Sequence, residues 1–305
     1  MQTQAPYQSR DQNISAILAR SGPVIHEQSS VLTHPPALTD AQREGYCNDG
    51  FLLMPDLFSA DEVAALYNEM QTMRESYAHQ GRSEVIAEPG SGDVRSIFDV
   101  HHLNPLFAKL MRDPRVLDVA REVLGSEVYI HQSRINYKPG FTGKGFYWHS
   151  DFETWHIEDG MPAMRSLSCS ILLTDNSADN GPLMLIPGSH NHFISCMGET
   201  PEDNYKTSLK NQEYGVPDPI LLSYLSDMGG ITAAKGKAGS VVFFDSNTMH
   251  GSNSNITPYP RSNAFFVYNS VDNQLQAPRG NLTPRPDYIA ARNDVAALTP
   301  LPFSI

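Results

Sequence analysis

Hydrophobic positions along the chain first recur at helical spacing and later fall into strand-like runs. Ser59 and Glu62 form a capping-box pattern ahead of Val63, Leu66, Met70, Met73 and Tyr77, and this spacing predicts an amphipathic helix from Ala60 to about Tyr77. Asp113 and Pro114 open a second helix, which Gly125 closes after Leu124. From Glu127 onward short apolar runs alternate with clusters of Gly, Pro, Asn and Asp, so residues 127–138, 165–174, 183–186, 239–245 and 262–271 are the predicted strands. Early helices followed by many short strands predict a mainly β fold with flanking helices. Its expected core is a double-stranded β-helix of the jelly-roll, cupin-like kind.

The length suits one domain, expected over residues 37–305, behind a polar arm of residues 1–36. The Gln, Ser and Pro content of that arm predicts a flexible or loosely docked segment, with a helical turn expected at Ile14 to Leu18. Residues 277–305, rich in Pro and Arg, are expected to wrap the surface. The stretch 191–236 reads as a long loop, either a lid or insert or a plain surface element. A net charge of −12 makes nucleic acid and anionic membrane poor partners. Cys47, Cys169 and Cys196 are odd in number and lack metal-binding spacing, so they read as reduced and structural. With neither a signal-peptide pattern nor a membrane-spanning run, a cytoplasmic protein is expected, a homodimer being the default assembly.

The candidate chemistry is His149-Ser150-Asp151 with His250 downstream. Two imidazoles and one carboxylate are the ligand set of a non-haem iron(II) oxygenase, which leaves metal positions open for oxidant and cosubstrate. Strand geometry would put His149 and Asp151 on one side of a single strand end. A bare His-x-Asp is weak evidence; what strengthens it is that His250 sits in the polar turn leaving the apolar run 239–245. Arg261 lies eleven residues further on, and its planar guanidinium suits the far carboxylate of a dicarboxylic oxo acid. His101, His102, His156 and His190 are rival ligands, and His156 would make a local His-x-Asp-x4-His site. Glu153, Glu158 and Asp159 are expected to orient the ligand imidazoles or to be solvated charge.

The long segment from Phe146 to Arg165, reading FYWHSDFETWHIEDGMPAMR, resembles the signature of ectoine hydroxylases within the phytanoyl-CoA dioxygenase-like superfamily. Residues 131–138, Asn180 to Leu183 and Pro187 to His190 extend the resemblance over roughly residues 40 to 275. It implies an enzyme using Fe(II), 2-oxoglutarate and O2 to hydroxylate ectoine to 5-hydroxyectoine, with release of succinate and CO2. It also implies that His149, Asp151 and His250 hold the iron. Arg261 would bind 2-oxoglutarate, with Lys138, Asn136, Ser168 and Ser252 as nearby polar contacts. Gln132, Trp155 and Phe265 would bind ectoine, the amide by hydrogen bonding and the rings over its delocalised cation. The alternatives are a related dioxygenase acting on another small amino acid or an acyl-CoA, and a non-catalytic metal-binding β-sandwich.

Overall fold

The computed structural model of the 305-residue chain describes residues 7–10, 15–28, 36–88, 92–209 and 213–305. Its elements in chain order begin with β1 (Ile17–Ala19), α1 (Asp40–Asp49), β2 (Phe51–Met54), α2 (Ala60–Tyr77), β3 (Val85–Ala87) and β4 (Val94–Phe98). Three helices follow, α3 (Val100–Leu103), α4 (Pro105–Leu110) and α5 (Pro114–Leu124), and then β5 (Val128–Lys138), β6 (Phe146–His149), α6 (Asp151–Glu158), β7 (Ser166–Leu172) and β8 (Leu183–Leu185). The remainder is β9 (His192–Ile194), α7 (Tyr205–Ser208), α8 (Pro219–Gly229), β10 (Thr232–Ala233), β11 (Val241–Asp245), β12 (His250–Ser252) and β13 (Arg261–Ser270).

The predicted amphipathic helix is α2. Glu62 N donates to Ser59 Oγ while Ser59 N donates to the Glu62 carboxylate, so two amides that the helix itself leaves unpaired are satisfied reciprocally. Pro114 starts α5 under an Asp113 cap, and Gly125 ends it in the left-handed conformation. The five predicted strands are β5, β7, β8, β11 and β13, with ends displaced by one or two residues.

Among the described residues the strands form an antiparallel sheet ordered β2-β11-β7-β13-β5-β4-β3, a smaller one ordered β10-β8-β12-β6, and the pair β1-β9. The central strands β7, β11 and β13 are buried on both faces, which is why their sequences run apolar with little alternation. On one face Cys169, Ile171, Phe243, Ala264 and Phe266 pack with Leu66 and Met70 of α2 and Val116, Leu117 and Ala120 of α5. On the other face Leu172, Val242, Phe244, Phe265 and Val267 join Leu185 of β8 and Phe152 and Trp155 of α6. The result is the predicted mainly β fold, a jelly-roll-type pair of sheets buttressed by helices.

Several expectations are corrected. Ile17–Ala19 is a strand paired with β9, Ile17 opposite Ile194, because an available strand edge outcompetes an isolated helical turn; Ile14 lies outside the described residues. The stretch 191–236 holds β9, α7, α8 and β10, with residues 210–212 outside the described set. Residues 7–10 and 15–28 of the N-terminal arm lie against the body, with Tyr7 in the core cluster of Phe152 and Phe193; residues 1–6, 11–14 and 29–35 of the arm lie outside the described set. The C-terminal segment does more than wrap the surface: Ile289 and Ala290 are fully buried, and Ala291 N donates to His131 O at 2.9 Å. No helix among the described residues is long and apolar enough to cross a membrane.

Leu66 is fully buried between α2 and the large sheet, so Leu66→Ala removes packed surface that the helix cannot recover. The expected loss is about 2–5 kcal/mol, read as a lower denaturant midpoint with unchanged slope.

Candidate active site and metal centre

β6 ends at His149 and α6 begins at Asp151, with Ser150 between them as the helix cap. The two side chains therefore do not share a strand, as period-two reasoning expected. A strand-to-helix turn brings them together instead. In the small sheet β12 pairs with β6 so that His250 stands opposite His149. His149 Nε2 lies 3.6 Å from Asp151 Oδ1 and His250 Nε2 lies 3.8 Å from Asp151 Oδ2, all three residues being buried. His149 Nδ1 donates to Tyr147 O at 2.8 Å and His250 Nδ1 to Thr248 O at 2.9 Å. Those bonds fix the tautomers and leave both Nε2 lone pairs facing the carboxylate, a donor set that fits a divalent metal such as iron(II).

Burial and the neighbouring His149 push the His250 imidazole down to about 4, so it is a neutral ligand at pH 7. Burial alone would raise the Asp151 carboxyl, but His250 and His149 outweigh it and hold the group well below the usual carboxylate range. Ser168, expected near the cosubstrate, does not line the cavity. It sits beside the metal ligand, its Oγ donating to Asp151 Oδ2 at 3.4 Å, while Ser170 on the same strand face lines the cavity.

The cavity lies between the two sheets and opens onto the triad. Alternate residues of β5 line it, namely Gln132, Arg134, Asn136 and Lys138. The β13 register sets Arg261 opposite Lys138, Asn263 opposite Asn136 and Phe265 opposite Arg134. Arg261 and Lys138 are thus basic groups placed directly across two strands, an arrangement that disfavours charging both and is suited to holding a carboxylate between them. Burial, then Arg261 and Arg95, push Lys138 down to about 6, and burial with Arg95 lowers Arg261 to about 10. Lys138 Nζ donates to Ser252 Oγ at 2.9 Å, and Asn136 Oδ1 accepts from Ser96 Oγ at 2.8 Å.

At the other end stand Gln132, Trp155, Phe265, Arg134 and Arg285. Trp155 projects from α6 and meets the His131 ring edge-to-face at 4.9 Å. The Arg134 guanidinium lies 4.1 Å over the Phe265 ring, so one of the two rings expected to face a substrate cation already carries a cation from the protein. The Gln132 amide is likewise engaged, donating to Ile289 O at 2.7 Å and accepting from Arg134. Burial lowers Arg134 to about 10, leaving it charged, and among the described residues no carboxylate lies within ion-pair distance of it.

Asp159 does not orient a ligand imidazole; it grips Arg285 with bonds of 2.7 and 2.6 Å, while Glu153 and Glu158 bind Arg10. Of the rival histidines, His156 bridges the carbonyls of Met161 and Tyr7, and His190 Nε2 donates to Cys47 O. Asp99, His101 and His102 form a second cluster, but His101 Nδ1 is bonded to Ser133 and His102 bridges Asp99 and Asp294.

Sequence reasoning missed Arg134, Arg95 and Arg285, which bring the basic residues of the lining to five against the acids Glu88 and Asp151. Arg134 was findable, because it continues the alternation that runs through Gln132, Asn136 and Lys138. Arg285 carries no local signal, since only the fold returns the C-terminal segment to Asp159.

The chain belongs to the phytanoyl-CoA dioxygenase family, whose model matches residues 46–263. It is 60% identical over 298 residues to the ectoine dioxygenase of Bordetella bronchiseptica, covering 98% of this chain and 96% of that protein. The crystal structure of EctD from S. alaskensis with 2-oxoglutarate and 5-hydroxyectoine superposes with a TM-score of 0.86 at 46% identity, covering 97% of each chain. The form of that protein with bound Fe gives 0.85 at 45% identity, covering 97% of this chain and 98% of the other.

A dicarboxylate settling between Arg261 and Lys138 favours the charged amine, which above about pH 6 is neutral in the free protein. Binding of 2-oxoglutarate at pH 7.5 should therefore take up a proton, the uptake vanishing below about pH 5 and in Lys138→Met. Calorimetry in two buffers of different ionisation enthalpy measures it.

Proposed function

We propose that this protein hydroxylates ectoine to 5-hydroxyectoine, consuming 2-oxoglutarate and O2 and releasing succinate and CO2. The carrying observation is one cavity lined by a His149, Asp151 and His250 donor set, a buried pair of basic groups, Lys138 and Arg261, and an aromatic end containing Trp155. The full-length similarity to ectoine dioxygenases supports the substrate. Iron, when bound, supplies the redox chemistry that divides O2 between succinate and the new hydroxyl group.

The protein's own residues bind and aim. His149 and His250 offer neutral Nε2 atoms and Asp151 a carboxylate, with Ser168 holding Asp151 from behind. Arg261 and Lys138 take the far carboxylate of 2-oxoglutarate, with Asn136 and Ser252 beside them. Ectoine is a small zwitterion, strongly hydrated in water, so the pocket must replace that water with fixed partners. Arg134 matches its carboxylate and the Trp155 face its delocalised cation, worth about 0.5–2 kcal/mol. Gln132 and Phe265, through their contacts with Arg134, complete that wall. The reading carries with it a cytoplasmic location, in keeping with three free cysteines.

With iron, 2-oxoglutarate and O2 supplied, the protein should form one hydroxyectoine per succinate, and succinate release that does not depend on ectoine would reject the assignment. Alanine at His149, Asp151 or His250 should abolish turnover and metal retention, measured as bound iron per chain, while the far-ultraviolet circular dichroism stays near that of the native protein.

Trp155→Ala should raise the ectoine KM and lower hydroxyectoine formed per succinate. Trp155→Phe should keep part of both, and an unaltered ratio in the alanine variant would return that ring to a packing role.

A further inference from the structure

We propose that Arg10, in the N-terminal arm, is a positioning residue for the metal centre and the substrate wall, acting by clamping α6. This rests on the metal and substrate assignments above. α6 has only eight residues, too few to be stable by itself, yet it carries Asp151 at its first position and Trp155 one turn later. Its placement must come from tertiary contacts, and the strongest of these arrive from a residue more than 140 positions earlier in the chain.

The Arg10 side chain is 2% exposed, and its donors reach into the helix and the segment beside it. Nε donates to Glu153 Oε1 at 3.0 Å and Nη2 to Glu153 Oε2 at 2.6 Å, a bidentate pair. Nη2 also donates to Thr154 Oγ1, and Nη1 to Glu158 Oε1 and to Thr200 Oγ1. Ser9 Oγ adds a bond of 2.6 Å to Glu153 Oε1, and Asn204 Nδ2 one of 2.8 Å to Glu158 Oε1. Arg10 itself stands at φ 63°, a left-handed conformation that a non-glycine residue keeps only when its surroundings impose it; its N–H donates to Cys196 O at 2.9 Å.

The clamp touches both halves of the site. Glu153 lies two residues from Asp151, and Glu158 precedes Asp159, which holds Arg285 at the cavity wall. Within this short stretch Asp151, Glu153, Glu158 and Asp159 place four buried carboxylates, of which Arg10 and Arg285 offset all but Asp151. Without Arg10, Glu153 is left buried without its cation and Glu158 keeps only a 3.9 Å contact with Arg285, a state relieved by protonation or by movement of the helix toward water. Such a movement carries Asp151 and Trp155 with it. Gly215 crosses over the clamp at φ 69°, and a Cβ there would stand 2.3 Å from Arg10 Nη2 and 2.7 Å from Glu153 Oε2, so a larger residue would displace the ion pairs.

The test uses the full-length protein and the variants Arg10→Gln, Arg10→Lys and the triple Arg10→Gln, Glu153→Gln, Glu158→Gln, which removes the cation together with the charges it offsets. Binding of Co(II) as an iron substitute is followed by tryptophan emission, because Trp148 and Trp155 are the chain's two tryptophans and both flank the triad. Arg10→Gln should weaken Co(II) binding by about tenfold or more and lower hydroxyectoine formed per succinate. Arg10→Lys should fall between it and the native protein, and the triple variant should regain metal affinity and coupling relative to Arg10→Gln. If Arg10→Gln does not fold, the lysine and triple variants carry the same comparison. Native metal affinity and coupling in Arg10→Gln would overturn the proposal, as would a triple variant no better than the single one, since loss of stability alone predicts no rescue. Turnover of ectoine by the native protein is the separate control on the functional reading. Its absence would remove that substrate and leave the clamp judged by metal affinity and emission.

Discussion

The antiparallel register between β5 and β13 is the constraint on which the site depends. Lys138 meets Arg261, Asn136 meets Asn263 and Arg134 meets Phe265, so one pairing fixes the polar and the aromatic ends of the cavity together. Because strand side chains alternate, a slip of β5 by one residue would turn Lys138, Asn136 and Arg134 toward the helices and bring Ile135, now a core residue, into the cavity. The apolar face packed against α2 and α5 is therefore what forbids the slip. Stability on one face of the sheet and chemistry on the other are set by the same hydrogen bonds.

The electrostatics run opposite to the chain as a whole. A protein of net charge −12 gathers five basic side chains around its cavity and sets its carboxylates either at the metal or behind the arginines they aim. Burial makes those cations costly, as the depressed Lys138 shows, and an anionic ligand is what relieves the cost. Net charge thus describes the outer surface and says little about the ligand.

What was legible in the sequence was local and periodic. The helical spacing of Val63, Leu66, Met70 and Met73, the caps at Ser59 and Asp113, and the apolar runs of the central strands each depend on neighbours in the chain. The triad was readable because His-x-Asp lies within a long motif and His250 follows a buried strand. How His149 and Asp151 meet was not, because the strand gives way to a helix between them and the alternation rule does not know where a strand stops. Arg10, Arg285 and the bridging role of His156 were hidden for another reason. Glu153, Asp159 and the Tyr7 carbonyl, which they respectively hold, lie more than a hundred residues away, and a lone arginine in a polar segment looks the same whether it is solvated or buried.

Arg285 and the Ile289 carbonyl come after every strand of both sheets in the chain, yet one lines the cavity and the other holds the Gln132 amide. A domain folds as a unit, and this segment is part of it: Phe303 packs into the main core and Leu298 N donates to Val128 O of β5. A chain cut short of residue 285 would therefore lose a wall of the pocket and the cation of a buried carboxylate at one stroke, so damage at the far end of the polypeptide is felt at its centre.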